Sequence, residues 1–510
     1  MNSLRSIVCS LLIVSTPALC ATTGIGSTDS TVSSTADETL VADSQEPGRV
    51  APAPGALDAA FDAYIQAAIA NADFSGTVLV AKDGVPVFRR SYGLASQELA
   101  VPNNNETVYD LASITKAFTA LLIMMMQEEG RLNVDDLACT YLTDCPVAWQ
   151  AITIRQLLNH TSGIESYSRL PEWDETLDTR VFWRGGAALM MRDKPLRFSP
   201  GEGYRYSNTG FDLLGLIVEH VSGKTLPEMY QDRILSPLGM NRSGFHTSRM
   251  IAPGAATGYY SLGSNFINRT PQSSSSAYGS SGLFSTVDDL LKWDQALYSN
   301  QLISAASYEQ MIAEAKNEYG FGWEMRTWLG RRQFGHAGSG GGFSTLIARF
   351  IDDHLTVVVL SNSDEASANA AARDLAAIYF GQEYQLPSQG RKARFLDTIL
   401  ADGPDAAIQL YRDMKAAEPE AEAFRTDELL VTAGYDLHGV PLMDQAKRVF
   451  EFALEHFPRS AYSHDGLADI ALAEGQNETA IRHFETSLAI DPTNEYAVKG
   501  LERVRALSSR

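Results

Sequence analysis

The chain has 510 residues, 62 of them acidic and 41 basic, and a formal net charge of −21 at pH 7. That length exceeds what one ordinary hydrophobic core organises, so two or more domains are expected. The negative charge argues against nucleic acid and anionic membrane surfaces as partners.

Residues 1–21 have the pattern of a signal peptide. Arg5 gives the positive start, residues 7–14 form the apolar stretch, and Ala18-Leu19-Cys20 precedes a cleavage point. That stretch is too short to span a membrane, and no later segment reaches about 18 uninterrupted apolar residues. We therefore expect an exported protein, periplasmic or secreted, without a transmembrane segment. A lipid anchor on Cys20 is the weaker alternative, because the residues before it fit a lipoprotein signal poorly.

Residues 22–55 are rich in Ser, Thr, Ala and Pro with few large apolar side chains, so they are predicted to be a disordered linker. A globular pattern follows, and it fills a predicted domain over residues 56–385. The first strands are predicted at 77–82 and 85–88, because Asp83-Gly84 between them is a strong signal for a two-residue hairpin turn.

Ser113 and Lys116 stand three residues apart at the start of an apolar run that is predicted to be a helix up to Gly130. Their side chains would share one helix face. A serine hydroxyl becomes a strong nucleophile when a base takes its proton, and a desolvated lysine can do this. The unpaired N–H groups at a helix start would stabilise an oxyanion. The pair therefore indicates acyl transfer through a serine ester, although a serine-rich chain contains about one such pair by chance.

Two cysteines, Cys139 and Cys145, remain after the signal segment. They would form a disulfide in an oxidising compartment, or they are two buried free thiols. Two cysteines without clustered histidines do not make a zinc site, so no metal is expected.

Tyr206 and Asn208 form a second candidate cluster. A phenol close to Lys116 would share a proton with the amine, and either group could then act as the base. The Asn208 amide could orient Lys116 and hold a substrate amide. Tyr206 alone is more often a packing residue, and His160, in Asn-His-Thr-Ser-Gly, is predicted to fix a turn.

Gly335-His336-Ala337-Gly338-Ser339 forms a third cluster, predicted on a strand edge. Gly338 would allow close approach of the substrate, His336 would present a donor, and the Ser339 N–H would complete an oxyanion hole with that of Ser113. A buried structural histidine is the alternative for His336.

Two strands, at 344–350 and 355–361, and a helix over 365–380 follow. Strands at both ends of a long helical middle predict an α+β domain in which one antiparallel sheet joins the two chain ends.

The last predicted domain, residues 391–510, contains helix patterns only. Three residues recur 34 positions later, because Ala446, Phe450 and Pro458 are followed by Ala480, Phe484 and Pro492. This period resembles the tetratricopeptide repeat. The segment would then offer a groove to a protein partner, or it is a helical tail packed on the preceding domain.

Six segments in a fixed order carry a resemblance to the serine β-lactamase-related family, which includes class C β-lactamases, D-alanyl-D-alanine carboxypeptidases, D-aminopeptidases and esterases. They are S-I-T-K from Ser113, L-L-N-H-T-S-G-I, F-S-P-G-x-x-Y-x-Y-S-N-T-G, P-L-G-M, Y-G-F-G-W and G-H-A-G. The resemblance covers about 56–385 and implies an antiparallel sheet flanked by helices. It also implies that Ser113 is the nucleophile, Lys116 and Tyr206 are the acid/base pair, and Asn208 supports them, with no cofactor.

His336-Ala337-Gly338 departs from the Lys-Thr-Gly of class C β-lactamases and is similar to the form in D-alanyl carboxypeptidases, D-aminopeptidases and esterases. A neutral histidine binds a free carboxylate less strongly than lysine does. The expected function is an exported serine hydrolase acting on a peptide, ester or β-lactam carbonyl, closest to D-alanyl peptidases and esterases. The alternative is a binding or scaffold protein that uses the helical repeats and carries a hydrolase domain that is weakly active or inactive.

Overall fold

The computed structural model describes residues 54–71, 74–170, 173, 185–247, 250–268, 278–313, 316–364, 366–440 and 442–508. The predicted signal peptide lies outside the described residues, as does nearly all of the predicted linker. The first helix begins at Pro54, so it overlaps the last two residues of the predicted linker.

The described strands are β1 (Gly76–Lys82), β2 (Val85–Tyr92), β3 (Leu94–Ser96), β4 (Val101–Pro102), β5 (Tyr109–Asp110), β6 (Gly244–Phe245), β7 (Tyr259–Leu262), β8 (Asn265–Asn268), β9 (Leu283–Ser285), β10 (Glu324–Trp328), β11 (Arg331–Gly340), β12 (Phe343–Phe350) and β13 (Leu355–Ser361).

The described helices before residue 385 are α1 (Pro54–Ala70), α2 (Thr115–Glu128), α3 (Ile154–Leu158), α4 (Gly186–Leu189), α5 (Asn208–Ser222), α6 (Leu226–Tyr230), α7 (Val287–Ala296), α8 (Ala305–Met311) and α9 (Ala368–Phe380). Those after it are α10 (Arg391–Asp402), α11 (Pro404–Ala417), α12 (Glu428–Gly439), α13 (Met443–His456), α14 (Ala461–Ala473), α15 (Asn477–Ile490) and α16 (Glu495–Ser508).

One antiparallel sheet organises the first domain and joins its two chain ends, as predicted. Its strand order is β10-β11-β12-β13-β1-β2, and Val78 of β1 pairs with Val359 of β13. Asp83 and Gly84, both with positive φ, make the tight turn between β1 and β2, because a turn of this kind matches the twist of the strands.

Helices cover both faces of this sheet, which explains why its central strands are apolar at nearly every position. Val78 and Val80 point to the face that α1 and α9 cover. Leu79 points to the opposite face and packs in the core that contains α2 and α5. Helix α2 is buried from Thr115 to Met126, so its first turn holds its side chains in a fixed position under the sheet.

Of the two alternatives for the cysteines, the structure has the disulfide. Cys139 and Cys145 are joined, with their Cα atoms 5.5 Å apart. Among the described residues, no helix combines the length and the apolar character that crossing a membrane requires.

The second domain is all-helical. The way its helices pack explains why Phe450 recurs as Phe484, 34 residues later. The ring of Phe450 on α13 lies against Gly434 of α12 and Gly466 of α14, where a Cβ atom would collide with it. Phe484 on α15 lies in the same way against Gly500 of α16. Each aromatic ring therefore fills the gap that a glycine leaves between neighbouring helices.

The hairpin of β7 and β8 links the two domains. Leu262 is buried in the core of the helical domain, and the Ser264 N–H donates to Asp397 Oδ1 of α10 at 2.7 Å. The helices after residue 385 and the sheet domain before it are therefore in contact through this hairpin. The boundary between 385 and 391 stays a prediction.

Candidate active site

Ser113 lies on a turn whose backbone the surrounding residues hold. Ala112–Ile114 form a 3₁₀ turn directly before α2. Ala112 has a φ of +44°, and its N–H donates to Asp110 Oδ1 at 2.7 Å. A left-handed conformation at a residue with a Cβ atom costs on the order of 1–3 kcal/mol. The neighbouring contacts therefore fix this turn, which leaves the Ser113 side chain partly exposed.

Lys116 is completely buried behind Ser113. Its Nζ forms hydrogen bonds with Ser113 Oγ at 3.0 Å and with the Ser280 carbonyl at 2.9 Å. Burial lowers the pKa of Lys116 to about 7, although the carboxylates of Asp212 and Glu324 act in the opposite direction. About half of the amine is then free at neutral pH and can accept the serine proton.

The Tyr206 side chain completes the group. Its ring centre lies 4.8 Å from Lys116 Nζ. Burial raises the pKa of Tyr206 far above its usual value, and the effect of the nearby Ser113 hydroxyl offsets only part of this rise. The phenol is therefore protonated at neutral pH, and the amine of Lys116 is the group of this pair that titrates there.

Two aromatic residues whose contribution the sequence did not reveal hold Tyr206. The centre of the His160 ring lies 4.3 Å from that of Tyr206, and the ring of Tyr319 lies edge-on at 6.0 Å. His160 has a φ of +60°, in agreement with its predicted turn. Its Nδ1 also accepts the Ser207 N–H at 3.1 Å, which fixes the backbone next to Tyr206.

Asn208 begins α5, and its contacts differ from the predicted ones. Its Nδ2 donates to Ser168 Oγ at 3.3 Å and its backbone N–H to Ser166 Oγ at 3.1 Å. No hydrogen bond joins it to Lys116 within the described part of the chain. Its Oδ1 is buried and has no partner among the described residues.

Gly338 lets β11 approach the turn of Ser113. Strand β10 pairs with β11 up to Gly335, so residues 336–340 extend past it. A Cβ atom at Gly338 would lie 2.2 Å from the Leu111 carbonyl oxygen. Residues 336–340 therefore lie at a free strand edge close to the turn of Ser113. The role of the Ser339 N–H in an oxyanion hole stays a prediction.

His336 is placed differently from the prediction that it presents a donor to the substrate. It is buried, its Nδ1 is hydrogen-bonded to the Ala337 carbonyl at 2.6 Å, and its Nε2 to the Tyr319 hydroxyl at 2.9 Å. Burial, together with the charge of Lys116, lowers the pKa of His336 to about 3. The ring is neutral and supports Tyr319, in agreement with the structural alternative.

A cluster of charges that the sequence did not reveal supports the wall next to Tyr206. Glu165 is buried and pairs with Arg169 at 2.9 Å, Arg197 at 2.8 Å and Arg205 at 3.0 Å. Burial raises the pKa of Glu165, but the hydrogen bonds from Arg205 and the Ser166 N–H outweigh this and lower it to about 2. The carboxylate therefore stays charged and ties Arg205, the residue before Tyr206, to the segment that contacts Asn208.

We predict that Gly338→Ala slows acylation of Ser113 about 100-fold, because a displacement of about 1 Å in a site can have this effect. The added methyl group would also lie 2.4 Å from Thr345 Oγ1, so β11 must move away from Ser113. Stopped-flow acylation by an activated ester measures the rate. Gly390→Ala is the control, because its Cβ would meet nothing within 4 Å. A Gly338→Ala protein that acylates at the parent rate would contradict this role.

The described residues thus bring together a serine hydroxyl, an amine that titrates near neutral pH and a protonated phenol. Among the described residues, no group of three or more His, Cys, Asp or Glu side chains is arranged to hold a metal ion.

Comparison with known sequences and structures identifies similar proteins. A sequence profile of the family described as Beta-lactamase matches residues 61–382. Penicillin-binding protein 4* of Bacillus subtilis is 32% identical over 397 residues, which cover 70% of this chain and 87% of the relative. A D-aminopeptidase of Cereibacter sphaeroides is 28% identical over 403 residues, covering 76% of this chain and 73% of the relative.

The fold is similar to that of the octameric penicillin-binding protein homologue from Pyrococcus abyssi. The TM-score is 0.58 at 30% sequence identity, and the match covers 67% of this chain and 81% of that one.

Proposed function

Because the chain belongs to the beta-lactamase family of serine hydrolases, we propose that it hydrolyses peptide, amide or ester carbonyls through an acyl ester on Ser113. One observation carries this proposal. The buried Lys116 amine, with a pKa lowered to about 7, lies 3.0 Å from the Ser113 hydroxyl. A hydrolase site without activity would have no need to keep a buried lysine beside a serine, because burial of an amine that can be charged lowers the stability of the fold.

The proposed reaction has two halves. Lys116 takes the proton of the Ser113 hydroxyl as the oxygen attacks the substrate carbonyl, and the N–H groups of Ser113 and Ser339 stabilise the oxyanion. Tyr206, whose ring centre lies 4.8 Å from Lys116 Nζ, gives its proton to the departing amine or alcohol and takes up the proton that Lys116 removed from Ser113. Water then attacks the ester and gives a proton to the Lys116 amine, and the pair returns a proton to Ser113 Oγ as the acid is released. The Asn208 amide holds the substrate amide.

We propose that the preferred substrates lack a free carboxylate next to the scissile bond. The neutral His336 stands where a lysine would supply a positive charge, and both of its ring nitrogens are already hydrogen-bonded. The nearby Arg326 is paired with Glu324 at 2.6 Å. The similarity to a D-aminopeptidase supports an amide or peptide substrate of the D series.

A matched pair of peptides tests the substrate class. N-acetyl-D-Ala-D-Ala and its C-terminal amide differ only in the terminal charge. We expect the amide to be hydrolysed at least about 10-fold faster, the contribution of about one charge-assisted hydrogen bond. We also expect benzylpenicillin to accumulate as a slowly released adduct. Intact-mass analysis and product chromatography measure both, and faster cleavage of the free acid would contradict the proposal.

Protein binding by the helical domain is the second candidate function. A cavity of about 380 Å³ lies among α13, α14 and α15, and the glycine–phenylalanine packing supports assignment of these helices to the tetratricopeptide type.

If the hydrolase site is inactive, neither the two peptides nor benzylpenicillin should add mass to the protein.

We further propose that the protein is exported, with residues 1–21 as its signal peptide. The pattern of these residues supports this, and so does the disulfide between Cys139 and Cys145, because disulfides persist in oxidising compartments. The domains that we assign are a hydrolase domain over 56–385 and a helical domain over 391–510.

A further inference from the structure

Asp212 is a buried carboxylate for which the proposed reaction has no use. It lies one helical turn after Asn208 on α5, is 0% exposed, and has the apolar residues Phe211 and Leu213 on either side of it. A carboxylate in such surroundings is costly unless a specific contact offsets its desolvation. Its contacts therefore indicate what it does.

These contacts lead directly to Lys116. Asp212 Oδ1 accepts the backbone N–H of Ser280 at 2.9 Å. The carbonyl of the same Ser280 accepts a hydrogen bond from Lys116 Nζ at 2.9 Å. The backbone of Ser280 therefore connects the Asp212 carboxylate, through these two hydrogen bonds, to the Lys116 amine beside Ser113.

The segment that carries Ser280 is also fixed from two other sides. Thr119 Oγ1 donates to the Gly279 carbonyl at 2.6 Å, and the hydroxyls of Tyr167 and Ser280 are hydrogen-bonded at 3.2 Å. These contacts hold the segment against α2 and the wall of the site. Asp212 is the one of these partners that brings a negative charge.

We propose that Asp212 is a positioning residue, which fixes the Ser280 peptide so that its carbonyl holds Lys116 Nζ beside Ser113 and which keeps the amine basic enough to accept the serine proton. The inference rests on the proposed role of Lys116 as the base. It adds a second determinant of that role, at a position that none of the recognised motifs marks.

The charges around Asp212 and Lys116 agree with the proposed positioning role of Asp212. Burial raises the pKa of Asp212 to about 6, although the Ser280 N–H and the charge of Lys116 act against this, so the carboxyl is mostly ionised at neutral pH. Its field raises the pKa of Lys116 against the larger effect of burial. The titratable groups that face Lys116 or Asp212 are Glu324, His160, His336, Tyr167, Tyr206, Tyr230 and Tyr278. Among these groups, Glu324 is the other carboxylate.

Asp212→Asn tests the proposal, because it removes the charge and keeps the size and an acceptor. In the pH–rate profile of acylation, we expect the rise on the acid side to move about one pH unit lower. The reason is that loss of a nearby opposite charge lowers the pKa of an amine. Asp212→Ala should show the same shift and a further fall of about 10-fold in the plateau rate, because the Ser280 peptide loses its partner. Rates with an activated ester between pH 5 and 9 give both values.

Asp289→Asn is the matched control, because Asp289 is also buried but lies on α7 and contacts Arg242 and Lys292. The pH–rate profile of the Asp289→Asn protein should rise at the same pH as that of the parent protein. An unchanged profile in Asp212→Asn would overturn the inference, and Asp212→Ser serves for the same comparison if the asparagine variant does not fold. Failure of the proposed function gives a different result, since the parent protein would then show no acylation at Ser113.

Discussion

Ser113→Ala is expected to abolish covalent labelling and to lower hydrolysis at least about 1,000-fold. The variant keeps the turn, Lys116 and Tyr206, but it removes the oxygen that we propose forms the ester. Loss of one member of a nucleophile–base unit costs about as much as loss of the whole unit, so little activity should remain. Intact mass after incubation with an activated ester or benzylpenicillin measures the label, and steady-state assays measure the loss of turnover.

Ser91→Ala is the control for this measurement. Ser91 is a partly exposed serine on the edge strand β2, and its hydroxyl bonds with Thr77 and Asn105. The control should acquire the same mass as the parent protein. If Ser113→Ala still gains the acyl group, another residue is the nucleophile and the assignment of the site is wrong.

The strands that the sequence predicted are those whose signals are local. Asp83-Gly84 defines a turn by itself, and the residues of β13 are all buried, so a continuous apolar run marks that strand. Strands β5 and β9 gave no such signal. Tyr109 pairs with Ser285 across most of the domain, and strands of two or three residues have no periodicity that a sequence can show.

The same distinction applies to the site. Ser113, Lys116 and Tyr206 stand in motifs, and the structure brings these three side chains together. Asp212 and Glu324 do not stand in recognised motifs, yet their charges help to set the pKa of Lys116. The sequence around Asp212 shows only a single carboxylate inside an apolar helix. It does not reveal the contact with Ser280, because Ser280 is far away in the sequence.

His336 illustrates the remaining difficulty. The sequence could indicate that a neutral residue replaces a lysine, but it could not indicate where the ring points. The orientation depends on Tyr319, whose hydroxyl bonds with Nε2, and on the carbonyl of Ala337. Contacts of this kind depend on how β11 packs, and the residue types do not determine them.

The rate of acylation is expected to rise with pH through about 7 and to level off above it. The free amine of Lys116 is the proposed base, and burial lowers its pKa to about 7. Below that value the amine is protonated and cannot accept a proton, so the rate at pH 6 should be about a tenth of the plateau. Stopped-flow acylation with an ester whose own reactivity does not change in this range measures the limb.

Lys116→Arg should lower the plateau about 100- to 10,000-fold, the usual contribution of a positioned base. Arginine keeps the positive charge but stays protonated at every accessible pH, so the limb near pH 7 should disappear together with the rate. Lys292→Arg is the control, because Lys292 is a partly exposed lysine paired with Asp289, and its profile should match the parent.

The same profile decides between Lys116 and Tyr206 as the base. Burial holds the pKa of Tyr206 far above its usual value, so a phenolate base would place the limb above pH 10. A limb near 7 that persists in Tyr206→Phe, at a reduced plateau, would identify the amine as the base and the phenol as the proton relay. A limb that moves above pH 10, or a parent-like rate in Lys116→Arg, would contradict this assignment.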